Sequence, residues 1–285
     1  MANTQRGSGW SIKLVFNLYK IFGYKFIYYL MYPVTFFYFL FGSTTKKHLH
    51  NYYDHLGLEF NSRVYYEHLR VFAITMVDRF VSKVDPSSYK FMYAQQQENK
   101  RRVEEGLIML FSHFGGWAAS ASSGIVEKKI HIVMQEQMLQ SIKSIENTLE
   151  THSNINIIDL NSGMLSVSVQ IANALIANES VVMMADRSAN EKGSQSIEFL
   201  GESASFNKNP FQIAYKMNKP LLAYFIVLVG VREYRVIHST ITMDKTKKES
   251  EAITSALSEY VKVYEDVLRE YPQQWFNFYD FWEKK

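Results

Sequence analysis

Cysteine is absent from the 285 residues, which excludes disulfides, thiolate zinc sites and a cysteine nucleophile and suits a reducing compartment. Charge of one sign is also lacking: 31 Lys+Arg against 28 Asp+Glu leave a net +3. That balance is too small to argue for nucleic acid, though it is compatible with a basic face against anionic lipid. No internal repeat and no low-complexity segment occurs. A Gly-x-Ser-x-Gly elbow is missing, which argues against a serine hydrolase. Long hydrophobic runs are missing too. Residues 26–41 carry no charge, but as a helix they cover about 24 Å against a hydrocarbon core of about 30 Å. Extending the run back to Ile12 reaches spanning length only by including Lys13, Lys20 and Lys25, which would have to snorkel. Pro33 predicts a kink or break in the middle. No small-residue cleavage pattern suggests a removed signal peptide.

What is present is a large apolar content, 47% hydrophobic and 15% aromatic with 20 Phe and 19 Tyr, enough for a substantial core. Many of the rings lie in the first third and in the last fifteen residues. Residues 1–42, flanked by lysines and dense in aromatics, read as a membrane anchor, spanning or interfacial. Residues 43–285 read as one further domain. Within it, 43–105 looks helical and amphipathic. His48, His50, His55 and His68 fall there and read as solvated helix faces rather than metal ligands, because no carboxylate pattern completes a coordination shell. From Glu105 onward, apolar runs at 107–111, 130–134, 155–158, 181–185 and 221–229 alternate with predicted helices at 117–127, 136–150, 163–177, 209–218 and 247–271. That rhythm predicts an α/β fold with a mixed, largely parallel sheet covered by helices.

The stretch Ser-His-Phe-Gly-Gly-Trp-Ala at 112–118 follows the first of these runs. It reads as a buried strand delivering the His113 imidazole to a tight turn. Gly115 and Gly116 allow close approach of a substrate and leave amide N–H groups to face developing negative charge. A second run, Val-Val-Met-Met-Ala-Asp-Arg at 181–187, ends in Asp186 and Arg187. An arginine at a strand's rim suits bidentate binding of a phosphate.

These blocks, together with Phe-Leu-Gly at 199–201 running as a loop through Ala204, Phe206 and Pro210-Phe211, and the tail Pro-Gln-Gln-Trp-Phe-Asn-Phe-Tyr-Asp-Phe-Trp at 272–282, recur in a fixed order. The chain resembles glycerolipid-type acyltransferases of the lysophospholipid acyltransferase superfamily, and among them the bacterial lipid A biosynthesis (lauroyl/myristoyl) branch. The resemblance implies transfer of a fatty acyl group from acyl-carrier-protein or acyl-CoA to a hydroxyl or amine of a lipid or glycolipid, at the cytoplasmic face of a bacterial inner membrane, with no metal or cofactor. It implies His113 as general base and Gly115, Gly116, Trp117 and Arg187 as substrate-binding, while Asp186, whose strand should lie in the same sheet and end near the same rim, is the best spare carboxylate for His113. The aromatic tail reads as core or membrane-facing surface rather than a chain tunnel.

One position departs from the pattern. The family's acidic residue, five after the histidine, is Ala118 here. An introduced substitution, a different orienting group, and a catalytically impaired lipid-binding or scaffold homologue all fit that departure. The strand after the His helix carries His131-Ile132-Val133-Met134 and no Arg, so an anion contact from there is not expected.

Overall fold

The computed structural model describes residues 9–94, 96–120, 128–135, 154–187 and 191–282, with backbone alone for 9–13, 118 and 120. A seven-stranded sheet forms its centre, in the order β1(Lys90–Tyr93), β9(Glu233–Ile241), β8(Leu221–Gly230), β2(Ile108–Phe111), β5(Ser180–Met184), β3(Ile130–Met134), β4(Ile155–Asp159). All neighbours are parallel except β8 and β9. The fold is therefore α/β with a mixed, largely parallel sheet, as the alternation of apolar runs predicts. β2 is buried along its whole length because a central parallel strand is covered on both faces, which makes it read as continuous Ile-Met-Leu-Phe.

Helices α1(Gly9–Phe41), α2(Ser43–Leu56), α3(Ser62–Val84), α4(Gln96–Glu104), α5(Trp117–Ser120), α6(Met164–Ile176), α7(Asn209–Met217) and α8(Glu249–Glu270) complete it. α3 starts where the Asn61 side chain accepts from the Arg63 and Val64 amides, satisfying two free donors of the first turn. α8 buries Ala252, Ile253, Ala256, Leu257, Tyr260, Val261 and Tyr264, the 3–4 spacing of a single core-facing stripe.

Several expectations need correction. The stretch 43–105 is not helical throughout, since β1 interrupts it and pairs parallel with β9 at the sheet's edge. The segment 199–206 is not a loop but the turn and second strand of a hairpin, β6(Ser194–Phe199) with β7(Glu202–Asn207). Its two-residue turn has Leu200 at φ 51 and Gly201 at φ 86, and the leucine there hides the turn from a sequence reading. In α1 the break falls at Gly23 (φ 73, ψ −179) while Pro33 stays inside the helix. Only glycine takes that backbone conformation readily. Pro33, and Tyr29 whose carbonyl it leaves without a helical donor, both lie on the exposed face. Nor is His68 on a solvated face: it is fully buried, between the Tyr53 hydroxyl and the Trp275 carbonyl. The predicted helix at 136–150 and the end of that at 117–127 lie outside the described residues.

Among the described residues no single helix is long and apolar enough to cross a membrane. Leu14–Phe41 and Ser43–Leu56, bent by 90° at their junction, pass that test only as a pair. One face of α1 packs Tyr24, Ile27 and Met31 into a cluster shared with Met109 and Val182 of the sheet. The opposite face leaves Ile21, Phe22, Tyr29, Phe36, Phe37, Leu40 and Phe41 exposed.

Candidate active site

The register of the two central strands places the chemistry. Phe111 of β2 pairs with Met184 of β5, so His113 and Asp186, each two residues beyond, emerge side by side at the carboxyl rim of the sheet, where α/β folds form their clefts. The Ala185 amide donates to the Phe111 carbonyl at 2.8 Å, extending the ladder to the point where the chains diverge.

Asp186 is fully buried. Both its oxygens stand 3.0 Å from His113 Nδ1, and Oδ2 accepts from the His113 amide at 2.9 Å and from Asn277 Nδ2 at 3.0 Å. Burial opposes ionisation of this carboxyl. The His113 imidazole, its hydrogen bond, the nearby Arg187 charge and the Asn277 amide outweigh that effect and hold its pKa at about 2. The pair fixes Nδ1 as the protonated nitrogen, so Nε2 is the acceptor. At Nε2 stands Arg187, whose Nη2 donates at 2.7 Å, with its guanidinium carbon 5.7 Å from the centre of the Tyr279 ring.

The chain's end supports this arrangement from outside. The Phe276 amide donates to the His113 carbonyl at 2.8 Å, and Phe114 forms an isolated bridge with Trp275. The Gln274 side chain grips Leu228 of β8 through both of its backbone groups, each at 2.9 Å. Trp275 is fully buried and stacks on Tyr52 of α2 at 4.1 Å. Of the two readings its composition left open, core and membrane-facing surface, the tail takes the first through buried Trp275, Phe281 and Trp282, and it also contributes Asn277. Sequence reasoning missed Asn277, Gln274 and His68. Their only signal was polar residues interrupting aromatic stretches.

The glycines do different work from that expected. Gly115 N–H donates to the Gln274 carbonyl at 2.9 Å and Gly116 N–H to the Ile226 carbonyl at 2.8 Å. The expectation that these amides stand free for a developing oxyanion is corrected, because both are consumed by backbone pairing. What demands glycine is space. At Gly115 (φ 57) a Cβ would lie 2.0 Å from the Ile226 oxygen, and at Gly116 it would lie 2.1 Å from the Tyr234 ring. Tyr234 is itself anchored by a hydrogen bond to buried Asp78, which also accepts from Tyr24 and Tyr89 at 2.8 Å. Trp117 is half-buried, with the Arg79 guanidinium 6.0 Å from its ring centre. The Ala118 side chain lies outside what is described.

A half-open imidazole with a buried carboxylate on Nδ1, at the rim of a largely parallel sheet, has the parts of a general-base pair. The chain matches the family of bacterial lipid A biosynthesis acyltransferases over residues 61–284 and belongs to that family. No curated protein matches it.

Proposed function

We propose that this protein is a membrane-associated acyltransferase that moves a fatty acyl group from the thioester of acyl-carrier-protein or acyl-CoA to a hydroxyl or amine of a lipid or glycolipid, at the cytoplasmic face of a bacterial inner membrane. Membership of the acyltransferase family gives the reaction class. The observation that carries the mechanism is the buried Asp186 carboxylate on His113 Nδ1. With Nδ1–H committed to Asp186, Nε2 is the ring nitrogen left to take the acceptor's proton. The acceptor oxygen or nitrogen attacks the thioester carbonyl as its proton passes to Nε2, and a tetrahedral oxyanion forms. Collapse breaks the C–S bond, and the proton returns from Nε2 to the departing thiolate. The charged imidazolium between these steps is stabilised by Asp186 in low-dielectric surroundings. Arg187 supplies a cation for a phosphate of donor or acceptor, and Gly115, Gly116 and Trp117 shape the wall beside it.

The membrane reading is supported by α1. It holds to the body by one face and offers Ile21 at 71%, Phe37 at 61% and Phe41 at 70% exposure on the other. Such a face suits burial among headgroups and upper acyl chains. We assign residues 1–42 to that contact and 43–285 to the acyltransferase domain.

The test is acyl transfer by the full chain in vesicles with native lipid extract as acceptor, compared with His113→Ala. Loss of turnover with retained melting temperature supports the reading. Chain binding without turnover in either form favours a lipid-binding homologue instead, and turnover that survives His113→Ala refutes the base assignment.

A further inference from the structure

The lone pair that must accept the acceptor's proton is already engaged. Arg187 Nη2 lies 2.7 Å from His113 Nε2, the distance of a charge-assisted hydrogen bond. An imidazole nitrogen in neutral His113 has one lone pair, so while Arg187 donates to it no substrate hydroxyl can. Asp186 is fully buried and already takes the His113 amide, His113 Nδ1 and Asn277, while the guanidinium stands on the far side of the ring at Nε2. The Arg187 side chain itself is exposed, and among the described residues its contacts are His113 and the Tyr279 ring. A group that offers a guanidinium better acceptors than an imidazole nitrogen would move it, and a phosphate offers paired anionic oxygens matched to its fork.

We propose that Arg187 masks the His113 base and that a phosphate carried by the substrate unmasks it, so that acyl transfer is confined to phosphate-bearing reactants. This rests on the reading of His113 as general base. Arg187 is then a specificity-determining residue that acts through the histidine and does more than anchor a headgroup. In the resting site Nε2 accepts from Arg187. When the phosphate arrives the guanidinium forks onto it, and the acceptor hydroxyl takes its place at Nε2 within reach of the thioester. Reactants without phosphate leave the arginine where it is. The phosphate could sit on the acceptor lipid or on the donor's pantetheine arm, and the chemistry is the same.

The test uses the full chain in vesicles with four reactant pairs: a phosphorylated glucosamine lipid or its phosphate-free form as acceptor, each with acyl-CoA or the phosphate-free acyl-N-acetylcysteamine as donor. The native protein should lose about tenfold or more in turnover when the relevant phosphate is removed, the scale of one partly exposed charge-assisted hydrogen bond. Which single omission causes the drop identifies the source. In Arg187→Ala the fully phosphate-free pair should speed up about tenfold, and the discrimination should shrink to about twofold. Equal slowing of all four pairs in Arg187→Ala, or no discrimination by the native chain, overturns the proposal. A readout free of turnover is the ¹⁵N resonance of His113 Nε2, assigned with His113→Gln. Saturating inorganic phosphate should shift it toward its position in Arg187→Ala, and an unmoved resonance overturns the proposal as well. If His113→Ala retains turnover, the underlying base reading has failed. If His113 is needed while discrimination persists in Arg187→Ala, only the masking has.

Discussion

Replacing Asp186 by Asn preserves shape and removes one acceptor. Oδ2 takes two N–H donors, from the His113 backbone and from Asn277, so the amide oxygen belongs at that position. The new NH2 then replaces Oδ1 and faces His113 Nδ1 at about 3 Å, donor against donor. The amide oxygen at the Oδ2 position, 3.0 Å from Nδ1 but shared with two other donors, is then the one acceptor left there, and the balance shifts toward the tautomer with the proton on Nε2. That nitrogen can then neither accept a substrate proton nor accept from Arg187, whose Nη2 lies 2.7 Å away. The wrong tautomer in a serine-protease triad lowers turnover by about 10⁴, and the same order is expected here, with KM nearly unchanged. Stability should also fall. The Asp186 pKa of about 2 against an ordinary 3.8 corresponds to about 2–3 kcal/mol in a fully buried group, or roughly 4–12 °C in melting temperature for a chain of this size. Because the folded pKa is depressed, this stabilisation is present above pH about 4 and lost as pH falls toward 2. Asp186→Asn should therefore flatten that part of the acid-unfolding curve. The measurements are initial rates of thioester consumption with native lipid extract, alongside urea midpoints at several pH values. A folded Asp186→Asn protein within tenfold of the parent rate would refute the pair as the source of base catalysis.

Three further outcomes are expected. Changing Ile21, Phe37 and Phe41 together to Ser should cut vesicle partitioning by about 100-fold or more, since each side chain contributes about 1–2 kcal/mol when partly immersed. The melting temperature should hold because their faces are exposed, and unchanged sedimentation with vesicles would remove α1 from the interface. Gly116→Ala drives a methyl into the Tyr234 ring and should destabilise by about 1–3 kcal/mol in thermal melts, an effect that Tyr234→Phe would not relieve but Tyr234→Ala would. Burial holds the His68 pKa down at about 4, partly opposed by the Trp275 carbonyl, so between pH 6.5 and 4 the unfolded chain binds a proton that the folded one does not. Stability should fall across that window as pH is lowered, by up to about 3 kcal/mol. His68→Gln should abolish that slope in urea titrations, and a slope that persists would assign it elsewhere.

The central strands β2, β5 and β8 were legible because burial on both faces forces unbroken apolar runs. β9 was not, since Glu233, Arg235 and His238 punctuate a strand that alternates between core and solvent. β1 was missed because it is a four-residue edge strand with no fully buried position. Strand ends were the readable part of the site: His113, Asp186 and Arg187 all follow apolar runs. Asn277 was not readable, because its partner lies 91 residues away and nothing local marks it. The glycines were misread for a physical reason. A turn that frees its amides for an oxyanion and a turn that must let a neighbouring strand approach both require a residue without Cβ. Only the position of Ile226 and Tyr234 separates the two.

The departure at Ala118 takes on a different meaning once the register is known. A carboxylate one helical turn after a catalytic histidine serves to hold Nδ1–H and to stabilise the imidazolium. Here Nδ1 already has both oxygens of Asp186 at 3.0 Å, delivered by the adjacent parallel strand in matching register, Phe111 with Met184. The orienting group therefore comes from 73 residues downstream, not from five. It is buried, ionised, and locked by an amide from the chain's last segment. The alanine leaves the histidine without a local partner but not without a partner. The cost is that the His113–Asp186 pair now depends on the tail: loosening residues 272–282 frees Asp186 of Asn277 and the His113 carbonyl of the Phe276 amide in one motion.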